Sequence, residues 1–459
     1  CGGFITIWPP GDEPTVIDGY SEMPGRGLEG EHFGEATHEV VFDYGGETRQ
    51  RVGYGTIATP GCFAGLALAA RQYGQLPWRQ LLEPAIELVE QGFPLTGGAA
   101  QYLGFTHAAI YSWHPDSHRI LHHEDGSPLG EGDIVRIPHL ADTLREIARD
   151  ETSLYGGELG RQIATGVRAN GGLLGMEDLQ AYQAVARNPV RARIGDWEVA
   201  TKPPPAVGGA CLAAMLMLLD RSGAGSGLAE SVQNMVSAQH AVLGFRADYL
   251  DGAHQALPDE VERLLAMSDL GDPTLLSAPS TSHISVVDSN GLACAITASA
   301  GYGSGAMIEG TGFWLNNSLG ELDLLTKGLG GLKPGTRLAS NMAPTIARSR
   351  SDGAVLAIGS PGASRITTAI AQVLVNFSKQ GMTLADAIKH PRLHVEVAAH
   401  QRTIAFEPGL PVTATQDLIP RPFTEPSMYF GGVQAVFGSR QHGIQGIADA
   451  RRGGSVVTG

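Results

Sequence analysis

The chain of 459 residues carries only four cysteines, Cys1, Cys62, Cys211 and Cys294, and they stand far apart. Three lie in apolar segments, where cysteine usually serves as a small buried hydrophobe, so no disulfide framework is expected. Long apolar runs are missing as well. The longest, Cys211 to Leu219, falls well short of the roughly 20 residues that cross a bilayer and suits a buried helix. Basic clusters are absent and the formal net charge is -15. Nucleic acid and anionic membrane surfaces need Lys and Arg patches that neutralise phosphate, so neither is an expected partner. No phosphate loop, dinucleotide fingerprint or heptad occurs. The 62 glycines and 27 prolines are scattered between apolar segments and form no low-complexity tract, which argues against disorder. No methionine or leading helix precedes the strand-like Phe4-Ile-Thr-Ile. Cys1 could act as an amino-terminal nucleophile, but it reads better as the first residue of a piece whose upstream segment, with any signal peptide, is absent. The compartment stays open, with cytoplasm favoured over periplasm or secretion.

What is there is a globular chain, 42% hydrophobic and 17% charged, long enough by itself for two or three domains. Phe4 to Trp8 and Thr15 to Asp18 read as strands around the Pro9-Pro-Gly-Asp12 turn. Apolar residues at three- and four-residue spacing then predict helices over Phe63 to Tyr73, Pro77 to Gln91, Ile137 to Arg149, Glu158 to Asn170, Gly209 to Leu219 and Leu228 to Leu250. Trp197 to Thr201 is a strand. Beyond residue 281 come short alternating strands, helices over Ser364 to Lys379 and Leu384 to Lys389, and strands near Thr403 to Phe406 and Val433 to Phe437. Periodicity supports mixed α and β and no more. His114, His118, His122 and His123 could be drawn as a metal cluster. Pro115 and the polar Asp116, Glu124 and Asp125 make this stretch read as a loop, so helical ligand spacing does not apply and no metal is expected.

The chemistry centres on Thr281-Ser-His-Ile-Ser-Val-Val-Asp-Ser-Asn-Gly-Leu-Ala-Cys-Ala-Ile-Thr297. Two apolar strands, His283 to Asp288 and Leu292 to Thr297, flank Asn290-Gly291, a strong hairpin signal because both residues tolerate positive φ. The preceding Gly271 to Ser280 is rich in breakers and reads as an exposed loop. Thr is an ordinary strand residue and Thr-Ser-His has no chemistry of its own. A Thr at the head of a strand, behind a loop that can be cut, nevertheless meets the needs of an amino-terminal nucleophile. Cleavage between Ser280 and Thr281 would free an amine with a pKa of roughly 7.7 to 8.0, suited to act as base for the Thr281 hydroxyl.

Leu315-Asn-Asn-Ser318, Leu332-Lys-Pro-Gly-Thr-Arg-Leu-Ala-Ser-Asn-Met-Ala-Pro-Thr345 and Gly359-Ser-Pro-Gly-Ala-Ser-Arg-Ile366 follow in that order. With the Thr-Ser-His strand they resemble the small catalytic subunit of the gamma-glutamyltransferase family, which belongs to the N-terminal nucleophile hydrolases. Upstream, Gly2-Gly3-Phe4, Asp18-Gly-Tyr-Ser-Glu-Met-Pro24, Pro60-Gly61, Tyr73-Gly through Gly92-Phe93, Asn170-Gly-Gly172 and Pro203-Pro-Pro205 with Gly208-Gly209 resemble its large subunit. The resemblance implies an α+β fold, a four-layer αββα sandwich. It also implies self-processing into a large-subunit part, 1–280, lacking an amino-terminal segment, and a small subunit, 281–459, which together form one intertwined domain. No cofactor is implied, since the amine and hydroxyl of Thr281 suffice for acyl transfer.

Carried over position by position, the resemblance makes Thr281 the nucleophile and places Ser299 where a family Thr hydrogen-bonds it. Gly362 and Ala363 fall where two successive backbone N–H groups form an oxyanion hole, a task the backbone performs whatever the side chain. The substrate pocket departs from the family. Ser21, followed by Glu22, stands where an Arg anchors the glutamate α-carboxylate, and Ser cannot replace that charge. Ser340 matches a serine that contacts the same carboxylate, but the next family Ser is Asn341. Glu321 falls where an acidic residue meets the substrate α-amine, and Gly301 where an Asn is common. The loop Leu322 to Leu332 reads as shortened, which implies a more open site. Arg337 or Lys333 could rebuild the lost anchor.

The expected function is therefore a self-processing gamma-glutamyltransferase-like hydrolase or acyltransferase with an altered acyl pocket, acting on a small acyl or amino-acid-derived substrate. Amide acylases of the cephalosporin or glutaryl type fit it. The alternatives are an ordinary gamma-glutamyl hydrolase or transpeptidase on glutathione-like donors, a carbon–carbon bond hydrolase of antibiotic biosynthesis, and a non-catalytic homologue. Ser21→Arg is expected to recover some gamma-glutamyl activity, but only if Ser340 and Glu321 occupy their family places and no bulky side chain fills the gap.

Overall fold

The computed structural model describes residues 1–28, 35–44, 46–222, 227–251, 253, 256–266, 281–322, 324–325, 328–329, 332–398, 401–412 and 418–459. The predicted loop Gly271 to Ser280 lies outside the described residues, as does part of Leu322 to Leu332. The chain divides into two compact units, 1–3 with 18–185 and 299–338, and 4–17 with 186–298 and 339–459.

The first unit is mainly helical. Helix Leu140–Arg149 buries Thr143, Leu144, Ile147 and Ala148, and helix Glu158–Ala169 buries Leu159, Ile163 and Val167. In both, the three- and four-residue spacing puts the apolar side chains on one stripe. These stripes share a core with Ile57, Leu82, Ile86, Leu174 and Leu179. One expectation fails here. Pro115–Leu121 is a helix, with Pro115 in its first turn, and not a loop. Proline lacks an N–H that the first helical position could not have paired anyway, so it starts this helix and does not break it. His118 and His122, one turn apart, stack at 4.3 Å, and His107 Nδ1 lies 3.1 Å from His122 Nε2. Among the described residues no group of three or more His, Cys, Asp or Glu is placed to hold a metal ion.

The second unit carries nearly all of two sheets. One runs in the order Ser282–Val287, Ala293–Ser299, Gly2–Trp8, Thr15–Gly19, Val185–Arg187. The other runs Gly443–Ile447, Gln434–Ser439, Val355–Gly359, Thr345–Ser349, Trp197–Thr201, Val190–Ile194. Inward side chains of both, Trp8, Val287, Ala293 and Ala295 from the first and Ala200, Ile346, Val355 and Ala357 from the second, form one core. The many alanines keep this layer thin. Helix Gly208–Arg221 packs on strand Val190–Ile194 and on helix Arg365–Ser378. Sheet on sheet, with helices on the outside of the second, is an α+β layering.

The predicted hairpin is present, with Ser282 paired to Ala298 and Val287 to Ala293. Its turn differs in detail. Gly291 takes φ 84°, whereas Asn290 does not enter the positive-φ region. Asp288 Oδ1 accepts the N–H groups of Asn290 and Leu292 at 2.9 and 2.8 Å, so a carboxylate closes a turn that needs only one left-handed residue. Trp197–Thr201 and Leu384–Lys389 have their predicted bounds. The helix predicted over Leu228 to Leu250 runs α-helical from Leu228 to Phe245 and then widens to a π-helix, Arg246–Leu250. Among the described residues no helix is long and apolar enough to cross a membrane.

Candidate active site

Thr281 stands immediately before strand Ser282–Val287 and is half-buried. Its predicted cleavage partner, Ser280, lies outside the described residues. Two residues on, His283 is buried, with Nδ1 2.8 Å from Thr297 Oγ1 and Nε2 2.9 Å from Ser285 Oγ. Burial alone pulls its pKa down to about 3, so the ring is neutral at any physiological pH.

The predicted oxyanion turn belongs to the same unit. Strand Val355–Gly359 ends at Gly359, helix Arg365–Ser378 begins at Arg365, and the turn fills the gap. Gly362 takes φ 130° and Ala363 φ 63°. A left-handed alanine is strained, and its burial shows that the surroundings enforce it. The Arg365 and Ile366 N–H groups donate back to the Gly362 and Ala363 carbonyls at 3.0 and 3.2 Å. Among the described residues the Gly362 and Ala363 N–H groups donate to no backbone carbonyl. Two successive free amides in this conformation can receive a developing negative charge. Behind the turn, a Cβ on Gly362 would lie 2.8 Å from Gly431 Cα, so only glycine fits.

Ser340 and Asn341, also in the second unit, are buried. Ser340 Oγ accepts the Met342 N–H at 3.2 Å, and its carbonyl accepts Val207 and Gly208 at the head of helix Gly208–Arg221. Asn341 Oδ1 accepts from Arg246 at 2.5 Å, and Arg246 is held in turn by Asp251 at 3.0 Å. This buried arginine sits where the predicted helix widens, and no pattern in the sequence marks it.

Ser21, Glu22, Ser299 and Glu321 belong to the first unit. Ser21 is fully buried. Its carbonyl accepts the Leu338 N–H at 3.0 Å, and its Oγ lies 3.4 Å from Ser318 Oγ. Glu22 pairs with Arg337 at 3.5 Å and Arg26 at 3.6 Å. Burial raises its pKa, and the two arginines only partly oppose this. Arg337 also meets Asp18 at 3.6 Å, donates to the Tyr20 carbonyl at 2.7 Å and to the Gln183 carbonyl, and lies over the Tyr182 ring. With a side chain only 7% exposed, it is committed to this cluster, while Lys333 is exposed. Ser299 Oγ accepts the Gly301 N–H at 3.0 Å. Gly301 takes φ 65°, and a Cβ there would meet Asn317 Oδ1 at 1.9 Å and Glu321 Oε1 at 2.5 Å. A side chain at 301 would have to displace the ends of Asn317 and Glu321.

The chain is 30% identical over 432 residues to the glutathione hydrolase proenzyme of Escherichia coli (strain K12), an alignment covering 86% of this chain and 72% of that protein. It is 29% identical over 485 residues to the acylase ACY 1 proenzyme of Pseudomonas sp. (strain V22), covering 99% and 85%. Its fold matches the crystal structure of cephalosporin acylase from Bacillus halodurans with TM-score 0.79 at 22% identity, over 99% of this chain and 86% of that one. The fold is thus the α+β one of the N-terminal nucleophile hydrolases. The family model described as gamma-glutamyltranspeptidase matches residues 1–459, and the chain belongs to that family.

Proposed function

We propose that this chain is a self-processing hydrolase or acyltransferase with Thr281 as its amino-terminal nucleophile and an acyl pocket not built for a gamma-glutamyl group. In the precursor, the Thr281 hydroxyl attacks the Ser280 carbonyl carbon, and the peptide C–N bond gives way to an ester on Oγ1. Water then hydrolyses the ester, leaving a carboxylate on Ser280 and a free amine on Thr281. In turnover, that amine takes the hydroxyl proton as Oγ1 attacks the substrate acyl carbon. The oxyanion is met by the Gly362 and Ala363 N–H groups, and collapse passes the proton to the leaving group. Water or an acceptor amine then releases the acyl group. Two relatives named as proenzymes support the processing step.

The observation that carries the pocket reading is the fate of the cations in the first unit. Ser21 offers no charge, and of the two candidate substitutes, Arg337 and Lys333, the first already serves Asp18 and Glu22. Relatives named as acylases fit this reading. The test is hydrolysis of a chromogenic gamma-glutamyl anilide against glutaryl and bulkier acyl anilides lacking the α-carboxylate or α-amine. The lost charge-assisted contact is worth on the order of 1.5 to 3 kcal/mol, so gamma-glutamyl donors should be disfavoured roughly ten- to hundredfold. Turnover of the gamma-glutamyl compound alone would sink the reading and leave an ordinary gamma-glutamyl hydrolase, the second reading, which similarity to a glutathione hydrolase favours. A cut protein inert on every anilide would point to carbon–carbon hydrolysis. A protein whose mass stays that of one chain, with no cut before Thr281, would be the non-catalytic homologue.

A further inference from the structure

His283 reaches from the strand behind Thr281 to the strand that carries the oxyanion turn. Its ring is so close to Gly359 that a Cβ built there would lie 2.2 Å from Cε1, 2.4 Å from Nδ1 and 2.6 Å from Nε2. Gly359 has no positive φ, so its need for glycine is set by the imidazole and not by the backbone. Gly359 pairs with Gln434 on the neighbouring strand, and the Gln434 carbonyl accepts Ser285 Oγ at 3.2 Å. A line of contacts thus runs Thr297, His283, Ser285, Gln434, tying both strands of the hairpin to both strands beside the turn.

The hydrogen positions follow from the acceptors. A carbonyl can only accept, so the Ser285 hydroxyl hydrogen points at Gln434 and its lone pair takes a hydrogen from Nε2. Nδ1 is then bare and accepts from the Thr297 hydroxyl. Both ring nitrogens are satisfied in the neutral Nε2–H tautomer, and nothing is left to move a proton for the reaction.

We infer that His283 is a positioning residue: a neutral strut between the two sheets that sets where Thr281 stands relative to the amides of Gly362 and Ala363. The inference rests on the reading of Thr281 as nucleophile. It assigns His283 no proton transfer, and so makes a different demand on experiment than a catalytic histidine would.

The test combines three measurements. His283→Ala should slow both self-cleavage and kcat by on the order of tenfold to a hundredfold, because small misplacements of reacting groups cost about that much. KM should stay within about threefold, since the strut makes no substrate contact. Gly359→Ala should impair the intact protein by pushing on the ring, while in the His283→Ala background the added methyl enters vacated space and causes no further loss. Nitrogen NMR of the unmodified protein should show His283 as the Nε2–H tautomer down to below pH 5, a readout independent of activity and of whether variants fold. A kcat within about twofold of the parent in His283→Ala, additive losses in the double variant, or an imidazole titrating between about pH 5 and 8 in step with the acid limb of kcat would overturn it. An unmodified chain that never cuts, with the NMR signature intact, would refute the nucleophile and the positioning role together. A chain that cuts normally while His283→Ala keeps its rate would refute the strut alone.

Discussion

Arg392 and Asp449 meet at 2.6 Å with side chains only 1% and 2% exposed. Arg451 joins them, reaching Asp449 at 3.3 Å and Glu407 at 2.5 Å, and the Val433 N–H donates to Asp449 at 3.0 Å. Burial opposes ionisation of Asp449, but the two arginines outweigh it and hold its carboxyl below the usual range. Replacing Asp449 by Ala strands a buried guanidinium, so the expected loss is ~3–5 kcal/mol. Exchanging Arg392 and Asp449 together for Met and Leu should cost much less. Denaturant unfolding of the three proteins decides it, and equal losses for single and double variants would show that the charges are not what matters.

Acid should weaken the fold before it reaches the carboxylates. Burial takes the His283 pKa down to about 3, and burial, then Arg365, Arg421 and Arg246, take that of His394 well below its ordinary 6.5. His394 is packed against Thr368, Ser364 and the Tyr429 ring. A histidine whose folded pKa is depressed binds its proton more readily unfolded. Its stabilising contribution is therefore complete above pH 6.5 and is lost as pH falls toward the folded value. Each should add a slope of ~1.4 kcal/mol per pH unit below about 6.5. Unfolding midpoints at pH 7, 6 and 5 test this, and a flat response across that range would contradict it.

The proposed oxyanion turn should respond to backbone changes and ignore side chains. Ala363→Gly keeps the amide and relieves a left-handed alanine, a penalty of roughly 1–2 kcal/mol. The expected result is kcat within about threefold of the parent and no loss of stability. Gly362→Ala sets a methyl 2.8 Å from Gly431 Cα at φ 130°. Displacing one donor there should cost on the order of a hundredfold in kcat.

Restoring an arginine at position 21 looks simple in the sequence and is not so in the structure. Ser21 is fully buried, and a Cβ on Gly2 would already lie 2.7 Å from its nitrogen and 2.9 Å from its Oγ. With Ser318 on another side, Ser21→Arg is expected to overpack the site at a cost of about 1–3 kcal/mol and not to rebuild the anchor. The ratio of kcat/KM for gamma-glutamyl over glutaryl anilide should stay flat while Tm falls.

Local features were legible in the sequence, and long-range ones were not. Asn290-Gly291 announces its hairpin because a left-handed glycine is a local need, and Leu384–Lys389 announces itself by spacing. Pro115 misled because the same residue that breaks a helix interior begins a helix at its first turn. The free amides of Gly362 and Ala363 could be placed from their motif, but the strain at Ala363 could not. The meaning of His283 depends on Gly359, Ser285 and Thr297 meeting it in three dimensions, and no periodicity records that. The commitment of Arg337 to Asp18 and Glu22 was hidden for the same reason.

If the chain is cut before Thr281, the strand orders govern what becomes of the two pieces. The first sheet takes two strands from beyond residue 281 and three from before it, and the second takes four and two. A cut before Thr281 would break one covalent bond while the ladders across both sheets continue to hold the fragments, so no dissociation should accompany maturation. Recovery from denaturation is another matter. An uncut precursor would refold as a single molecule at a rate independent of concentration, whereas cut pieces would first have to collide. Their reassembly would be second order and would compete with aggregation of exposed strand edges, so folding must precede cutting, and the mature enzyme would persist by slow unfolding and not by renewed folding.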